Sequence, residues 1–331
     1  MQEIVHRAIR ATQRSFAPGL LLLSSLSLVS CVGYSIPKDQ TLTEAAEAAT
    51  EREDWVVALD YWRRAIEQVG DEDPRPYREA ARALIALGEI ESGQLMLDRG
   101  IEMFPEDVEL RLMCGKLLCD RGFRRAAELN YRIAVQEDPG RASAWLRLAE
   151  VQLNLDLPEN ANLAVERYIE LAGPDTQSLY LRGRVRAKTG DLKGALESFA
   201  EAFAGTDINI DQLVVAATVV TEERYSGTTV ENLVQACGWA DRALEIDPQN
   251  AEASYVKGMI MEQIGDDLAA VEAYERAVEL VDHLLAMTRL AQTYARLGEF
   301  DRADKMIQRA LELNVHASHR RMLERVRRAW H

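Results

Sequence analysis

The side chains able to do covalent or metal chemistry in this chain are few. The cysteines are Cys31, Cys114, Cys119 and Cys237, and the histidines include His283, His316 and His319. Cys114 and Cys119 stand five apart in one helical stretch and point to different faces, so they cannot share a metal ion. They read as small core or near-core residues, and Cys237 reads the same way. His283 reads as a lone solvated residue, and His316 and His319 have no cysteine nearby. No phosphate-cradling glycine loop, HExxH or paired CxxC occurs. Carboxylates are abundant, with 54 Asp+Glu, but none is tied to a nucleophile pattern. The expectation is a protein without catalytic residues, metal or cofactor, and not an enzyme. Only Cys31 has a context that suggests chemistry, because a thiolate is a good nucleophile.

That context is a leader. Met1 to Ser15 carries Arg7, Arg10 and Arg14 against one acid, Glu3. The apolar run from Phe16 to Val29 follows, and it falls short of the ~20 residues that cross a bilayer as a helix. Basic, apolar and small-residue regions in that order suit a signal peptide over residues 1–30. Leu28-Val29-Ser30-Cys31 resembles a bacterial lipobox, in which the cysteine is acylated and becomes the first residue of the mature chain. An uncleaved anchor, an ordinary signal peptide and an organelle transit peptide are the other readings of the segment. Val32 after the cysteine, rather than an aspartate, resembles the sorting context for the outer membrane, which puts the body on its periplasmic side. Export short of that membrane, or anchoring in the cytoplasmic membrane, is the alternative. Residues 31–41 then read as acylated cysteine and tether, reaching ~33 Å when extended.

The chain has 39 Lys+Arg against 54 Asp+Glu, a formal charge of -15, in 331 residues that are 47% apolar. Such acidity opposes non-specific nucleic-acid binding, which needs a basic footprint. It also opposes lying on anionic lipid. No small-molecule substrate is expected.

The elements that carry these residues repeat. Ala58, Gly93, Ala127, Ala161 and Ala195 recur at steps of 35, 34, 34 and 34, and Ala236, Ala270 and Ala303 continue the series after a longer step of 41. Seven residues after each stands a second member of the pattern, Ala65 through Ala310. Each unit has two amphipathic stretches with apolar residues at i, i+3, i+4 and i+7. A turn glycine separates them in five units: Gly88, Gly122, Gly190, Gly265 and Gly298. Asp191 and Asp266 stand where they can cap the second helix, and Thr41 to Glu44 reads as a capping box. Small residues at the helix crossings face large ones: Trp62, Leu97, Tyr131, Phe199, Tyr274 and Ile307. Tyr168 stands where a small residue is usual, and Ala240, after Trp239, where a large one is usual, so repacking is expected at both. The sixth unit carries an insertion near 225–231.

This period and these offsets resemble the tetratricopeptide repeat over residues 39–315. The resemblance implies an all-α fold, a right-handed superhelical solenoid of about eight helix-turn-helix repeats. Residues 316–331, basic on one side through Arg320, Arg321, Arg325, Arg327 and Arg328, read as a capping helix. Proteins of this family offer a concave face, lined by the first helix of each repeat, to a protein or peptide ligand. Carried onto this sequence, that face presents Arg75, Arg78, Arg82, Lys116, Arg147, Arg184 and Lys188, interspersed with Leu112, Met113, Leu146, Leu153, Tyr180 and Leu181. It suits an acidic segment. The family's carboxylate clamp uses asparagines where this chain has Met113 and Lys116, so that ligand is not implied. The expectation is a membrane-anchored interaction scaffold, similar to repeat lipoproteins that assist pilus or secretin assembly or recruit cell-wall hydrolases. Its alternative is a regulatory subunit of an export or surface-polysaccharide machinery.

Overall fold

A computed structural model describes residues 34–37, 41–69, 72–205, 208–222, 225, 228–313 and 316–330. Residues 1–30, read from sequence as a signal peptide, and Cys31 lie outside the described residues. Among those described there are seventeen α-helices and no strand. Two compact units meet at Leu117, inside the helix Val108–Asp120. The first unit contains α1 (Leu42–Glu51), α2 (Trp55–Val69), α3 (Arg75–Ala86), α4 (Ile90–Met103) and the start of α5 (Val108–Asp120). The second takes the end of α5, α6 (Arg124–Glu137), α7 (Ala142–Asn154), α8 (Pro158–Ala172), α9 (Thr176–Thr189) and α10 (Leu192–Ala202). It continues with α11 (Ile210–Val219), α12 (Val230–Ile246), α13 (Ala251–Ile264), α14 (Asp267–Leu280), α15 (Leu284–Arg296), α16 (Phe300–Glu312) and α17 (Ala317–Arg327).

Helices pack as hairpins within each unit: α1 on α2, α2 on α3 and α3 on α4 in the first, and α6 on α7 through α9 on α10, then α11 on α12 through α16 on α17, in the second, with α9 on α11 joining the two runs. One hairpin cannot bury its own apolar face, so stacking supplies the core. The local signals work as the sequence suggests. Thr41 and Glu44 form a reciprocal capping box at α1. Asp191 and Asp266 accept the amide hydrogens of Gly194 and Ala269 at 2.9 and 3.0 Å. Gly190 and Gly265, both at φ 90°, end their helices in the left-handed region that glycine enters without a Cβ penalty. Glu53 (φ 55°) and Asp156 (φ 60°) hold the same kind of turn without a glycine.

The seams explain the small residues. A Cβ on Gly183 would lie 2.5 Å from the Phe199 ring, and one on Gly258 would lie 2.4 Å from the Tyr274 ring. The large seam residues Trp62, Leu97, Tyr131, Phe199, Tyr274 and Ile307 are all buried. Both expected departures are repacked. Tyr168 turns toward the following loop, where its hydroxyl donates to Asp175 Oδ2 at 2.5 Å. Next to Ala240, Trp239 is buried instead, edge-on to Phe199 and Phe203 with centroids 5.8 Å from each. In the insertion, the Tyr225 hydroxyl donates to the main-chain oxygen of Ala187 in α9, tying that loop to the preceding repeat.

One segment differs from expectation. Residues 34–37, taken from sequence as part of a tether, pack along α2. The Tyr34 amide donates to Asp60 Oδ2 at 3.2 Å, Arg64 donates to the Tyr34 carbonyl at 2.7 Å, and the Tyr61 hydroxyl donates to the Ser35 carbonyl at 2.9 Å. The Tyr34 and Tyr61 rings meet edge to face at 6.5 Å. An extended strap needs neither helix nor strand to be held, only partners for its main-chain groups.

Candidate interaction surfaces

The seven basic residues assigned to the first helix of successive repeats are placed unit by unit. In the first unit, Arg75 on α3 holds Glu47 at 2.6 Å and Asp73 at 3.4 Å. One turn on, Arg78 holds Asp107 at 3.3 Å in a half-buried pair, and Arg82 holds Glu79 at 2.8 Å. Lys116 on α5 is exposed. In the second unit, Arg147 on α7 holds Glu150 at 3.1 Å. On α9, Arg184 donates to the Asn154 amide oxygen at 3.3 Å, and Lys188 holds Asp156 at 2.9 Å. Most of the band is therefore neutralised by the chain's own acids. Exposed pairs of this kind are worth about 0–1 kcal/mol, so an acidic ligand could exchange with them at little cost.

Tyr180 is different. It is 6% exposed, packed against Phe199 and Phe203 with centroids 5.9 and 6.4 Å away, and Arg184 lies 5.7 Å over its ring. Burial pushes its hydroxyl pKa up. Leu153 and Leu181 are buried as well. These three belong to the repeat seam, and only the guanidinium and ammonium groups around them face outward. The helical period cannot separate seam from face when both lie on one apolar stripe.

Two arrangements were not foreseen. Glu262, on α13, accepts from the Tyr274 hydroxyl at 2.8 Å, Arg289 at 3.0 Å and Arg296 at 2.9 Å, with its side chain only 17% exposed. Arg296 also reaches Asp267 at 2.7 Å. This network ties the seventh hairpin to the eighth. Its signal was available as charges of opposite sign about one repeat apart, a spacing that has no meaning until the stack is known. His283, read from sequence as solvated, instead caps α15: its Nδ1 accepts from the Ala286 amide at 3.0 Å. Its ring lies 4.5 Å from that of Tyr255, with Nε2 3.1 Å from Glu252.

The thiols have core character. Burial pushes Cys114 and Cys237 up to about 11, and Cys119 is raised for the same reason. Nearby carboxylates, Asp98 and Asp241, push the first two the same way. All three are free and unsuited to nucleophilic work. No cluster of three potential metal ligands occurs among the described residues. Among them, too, no helix is long and apolar enough to cross a membrane.

Hairpins of this size, closed by left-handed turns and seamed by small residues against rings, define an α-helical repeat protein. Within it, family models of the tetratricopeptide repeat match residues 112–175, 239–283 and 285–314. The chain is similar to solved structures of the same class. The Cut9–Hcn1 hetero-tetramer of the APC/C matches with a TM-score of 0.55 and 15% identity, over 91% of this chain and 58% of that one. The protein YrrB, described as a tetratricopeptide-repeat protein with an unusual peptide-binding site, matches at 0.41 and 20%, over 68% and 95%. A tetratricopeptide-repeat protein from Parabacteroides merdae matches at 0.46 and 10%, over 87% and 97%. Likeness at these identities is likeness of fold. No curated protein matches the sequence.

Proposed function

We propose that this chain is an interaction scaffold, anchored to a membrane through acylated Cys31, that takes an acidic segment of a partner protein on the first helices of its hairpins. The fold supports the scaffold reading, since stacked hairpins expose long ridges of side chains. The anchoring reading rests on Leu28-Val29-Ser30-Cys31 behind the basic and apolar regions, and the strap says what an anchor there would hold. Tyr34 is fixed to α2 and stands three residues after Cys31, so a lipid on Cys31 would hold the first hairpin within ~11 Å of the acylated residue. Several acyl chains on one cysteine would make such attachment firm. The outer membrane, on its periplasmic side, is the location that Val32 favours. Pilus, secretin or cell-wall assembly is the class of work such a scaffold would serve.

Two experiments test the two halves. Radiolabelled palmitate should enter the wild-type chain and not Cys31→Ser; equal labelling of both ends the anchor reading. Partner capture should fall when Arg82, Arg147 and Arg184 are reversed to Glu. These three are preferred to Arg78, whose half-buried pair with Asp107 would leave two facing carboxylates and unsettle the first unit. Unchanged capture would end the band as a ligand site.

A further inference from the structure

The C-terminal helix α17 makes a second surface, separate from the band on the first helices. Only Leu323 of this helix is fully buried, against the last hairpin. Beyond it the helix and the α15–α16 turn diverge, leaving an open groove of about 730 Å³. Ala295 and Phe300 form one wall, and Val326, Ala329 and Trp330 the other. Phe300 is 45% exposed, while the Trp330 indole is held in place by its N–H donating to Asp304 Oδ1 at 3.4 Å. That volume suits one or two large apolar side chains.

The rim is charged in one sense. Arg325 lines the groove, and Arg321 and Arg328 stand four before and three after it, on the same helical face. All three are exposed, and none meets a carboxylate among the described residues; Arg321 and Arg328 donate only to carbonyls of their own helix. Arginines of the neighbouring helices behave otherwise. Arg289, Arg296, Arg302 and Arg309 each hold an acid, as does Arg327 on the inner side of α17. The chain has 54 acids to 39 bases, so scarcity of carboxylates does not explain the contrast. Among the described residues, a stripe of guanidinium groups beside an apolar cleft lacks its complement.

We infer that this groove docks an acidic, amphipathic helical segment of a partner protein, with an aromatic or leucine side chain in the cleft and carboxylates on Arg321, Arg325 and Arg328. An anionic lipid surface fits less well. The full chain's formal charge of -15 opposes approach to such a surface, whereas a short peptide meets only the stripe. The concave cleft also suits a protruding side chain better than a plane of headgroups.

The test uses the full-length chain in detergent and a fluorescein-labelled helical peptide of glutamates with one phenylalanine and one leucine a turn apart. Fluorescence anisotropy should show binding that weakens with salt. Arg325→Glu should weaken it about tenfold or more, as loss of a charge-assisted contact does. Trp330→Ala should weaken it comparably, and a peptide with alanine for the phenylalanine and leucine should not bind. Arg63→Glu, at an exposed position of α2 outside both the groove and the band, should leave it unchanged, which separates this groove from surface charge in general. Circular dichroism and the palmitate assay check that the variants fold and that anchoring is independent. Absent binding overturns the inference, as does binding indifferent to Arg325→Glu. Capture of phosphatidylglycerol vesicles in place of the peptide would assign the stripe to lipid. Self-association abolished by Arg325→Glu, without peptide binding, would assign it to a second copy; either result overturns the inference.

Discussion

The same substitution, glycine to alanine, should have opposite effects at two helical positions of the second unit. Gly258 in α13 and Gly238 in α12 both lie inside helices, where alanine is favoured by about 1 kcal/mol. At Gly238 an added Cβ meets nothing within 4 Å, so the gain is realised and Gly238→Ala stabilises by about 1 kcal/mol. At Gly258 the Cβ would sit 2.4 and 2.5 Å from two ring carbons of Tyr274, where ordinary contact is about 3.5–4.0 Å. The ring cannot step aside. It is fully buried, and its hydroxyl donates to Glu262, the carboxylate that also holds Arg289 and Arg296. The two helices must then separate by roughly 1 Å, and overpacking of this kind costs about 1–3 kcal/mol. Subtracting the propensity gain leaves a net loss of about 1 kcal/mol, and a gap of about 2 kcal/mol between the variants. Urea unfolding followed by circular dichroism reads both midpoints at constant slope. If Gly258→Ala is as stable as Gly238→Ala, the close approach does not hold the hairpin together and the seam argument fails.

Three further outcomes rest on single residues. Glu53→Gly should raise the melting temperature, because a left-handed φ of 55° costs a non-glycine residue about 1–2 kcal/mol. Asp156→Gly should gain less, since it gives up the exposed pair with Lys188; a fall in both melting temperatures in scanning calorimetry would contradict the turn assignment. The hydrogen bond to Asp175 pushes Tyr168 up from 10.0 to about 12. Its contribution to stability is therefore whole below pH 10 and is lost as pH rises toward 12. Tyr168→Phe should make stability less pH-dependent over that interval, and difference absorbance of tyrosinate should show one late-titrating residue removed. Loss instead of a tyrosine that titrates near pH 10, with the late-titrating residues unchanged, would mean that the bond does not form.

The internal pairing of the basic band bears on how a partner would bind. Arg75, Arg82, Arg147 and Lys188 are screened in the free chain by Glu47, Glu79, Glu150 and Asp156. A ligand would replace one set of carboxylates by another, and the gain would come from contacts around the charges rather than from charge alone. Specificity on that face depends on geometry.

What the sequence by itself determined is the repeating unit. A 34-residue period, turn glycines such as Gly190 and Gly265, and alternation of small and large seam residues depend on backbone conformation and steric fit within one hairpin, which lies wholly within a local stretch of chain. The cap at Thr41 and the buried thiols were legible for the same reason. Tertiary structure alone decided which polar atoms meet across hairpins. Arg289 and Arg296 converging on Glu262, Tyr34 strapped to α2, Tyr180 drawn into the seam and the cleft beside Trp330 depend on the rise and rotation from one hairpin to the next. Periodicity gives each helix a face; only stacking gives that face a neighbour.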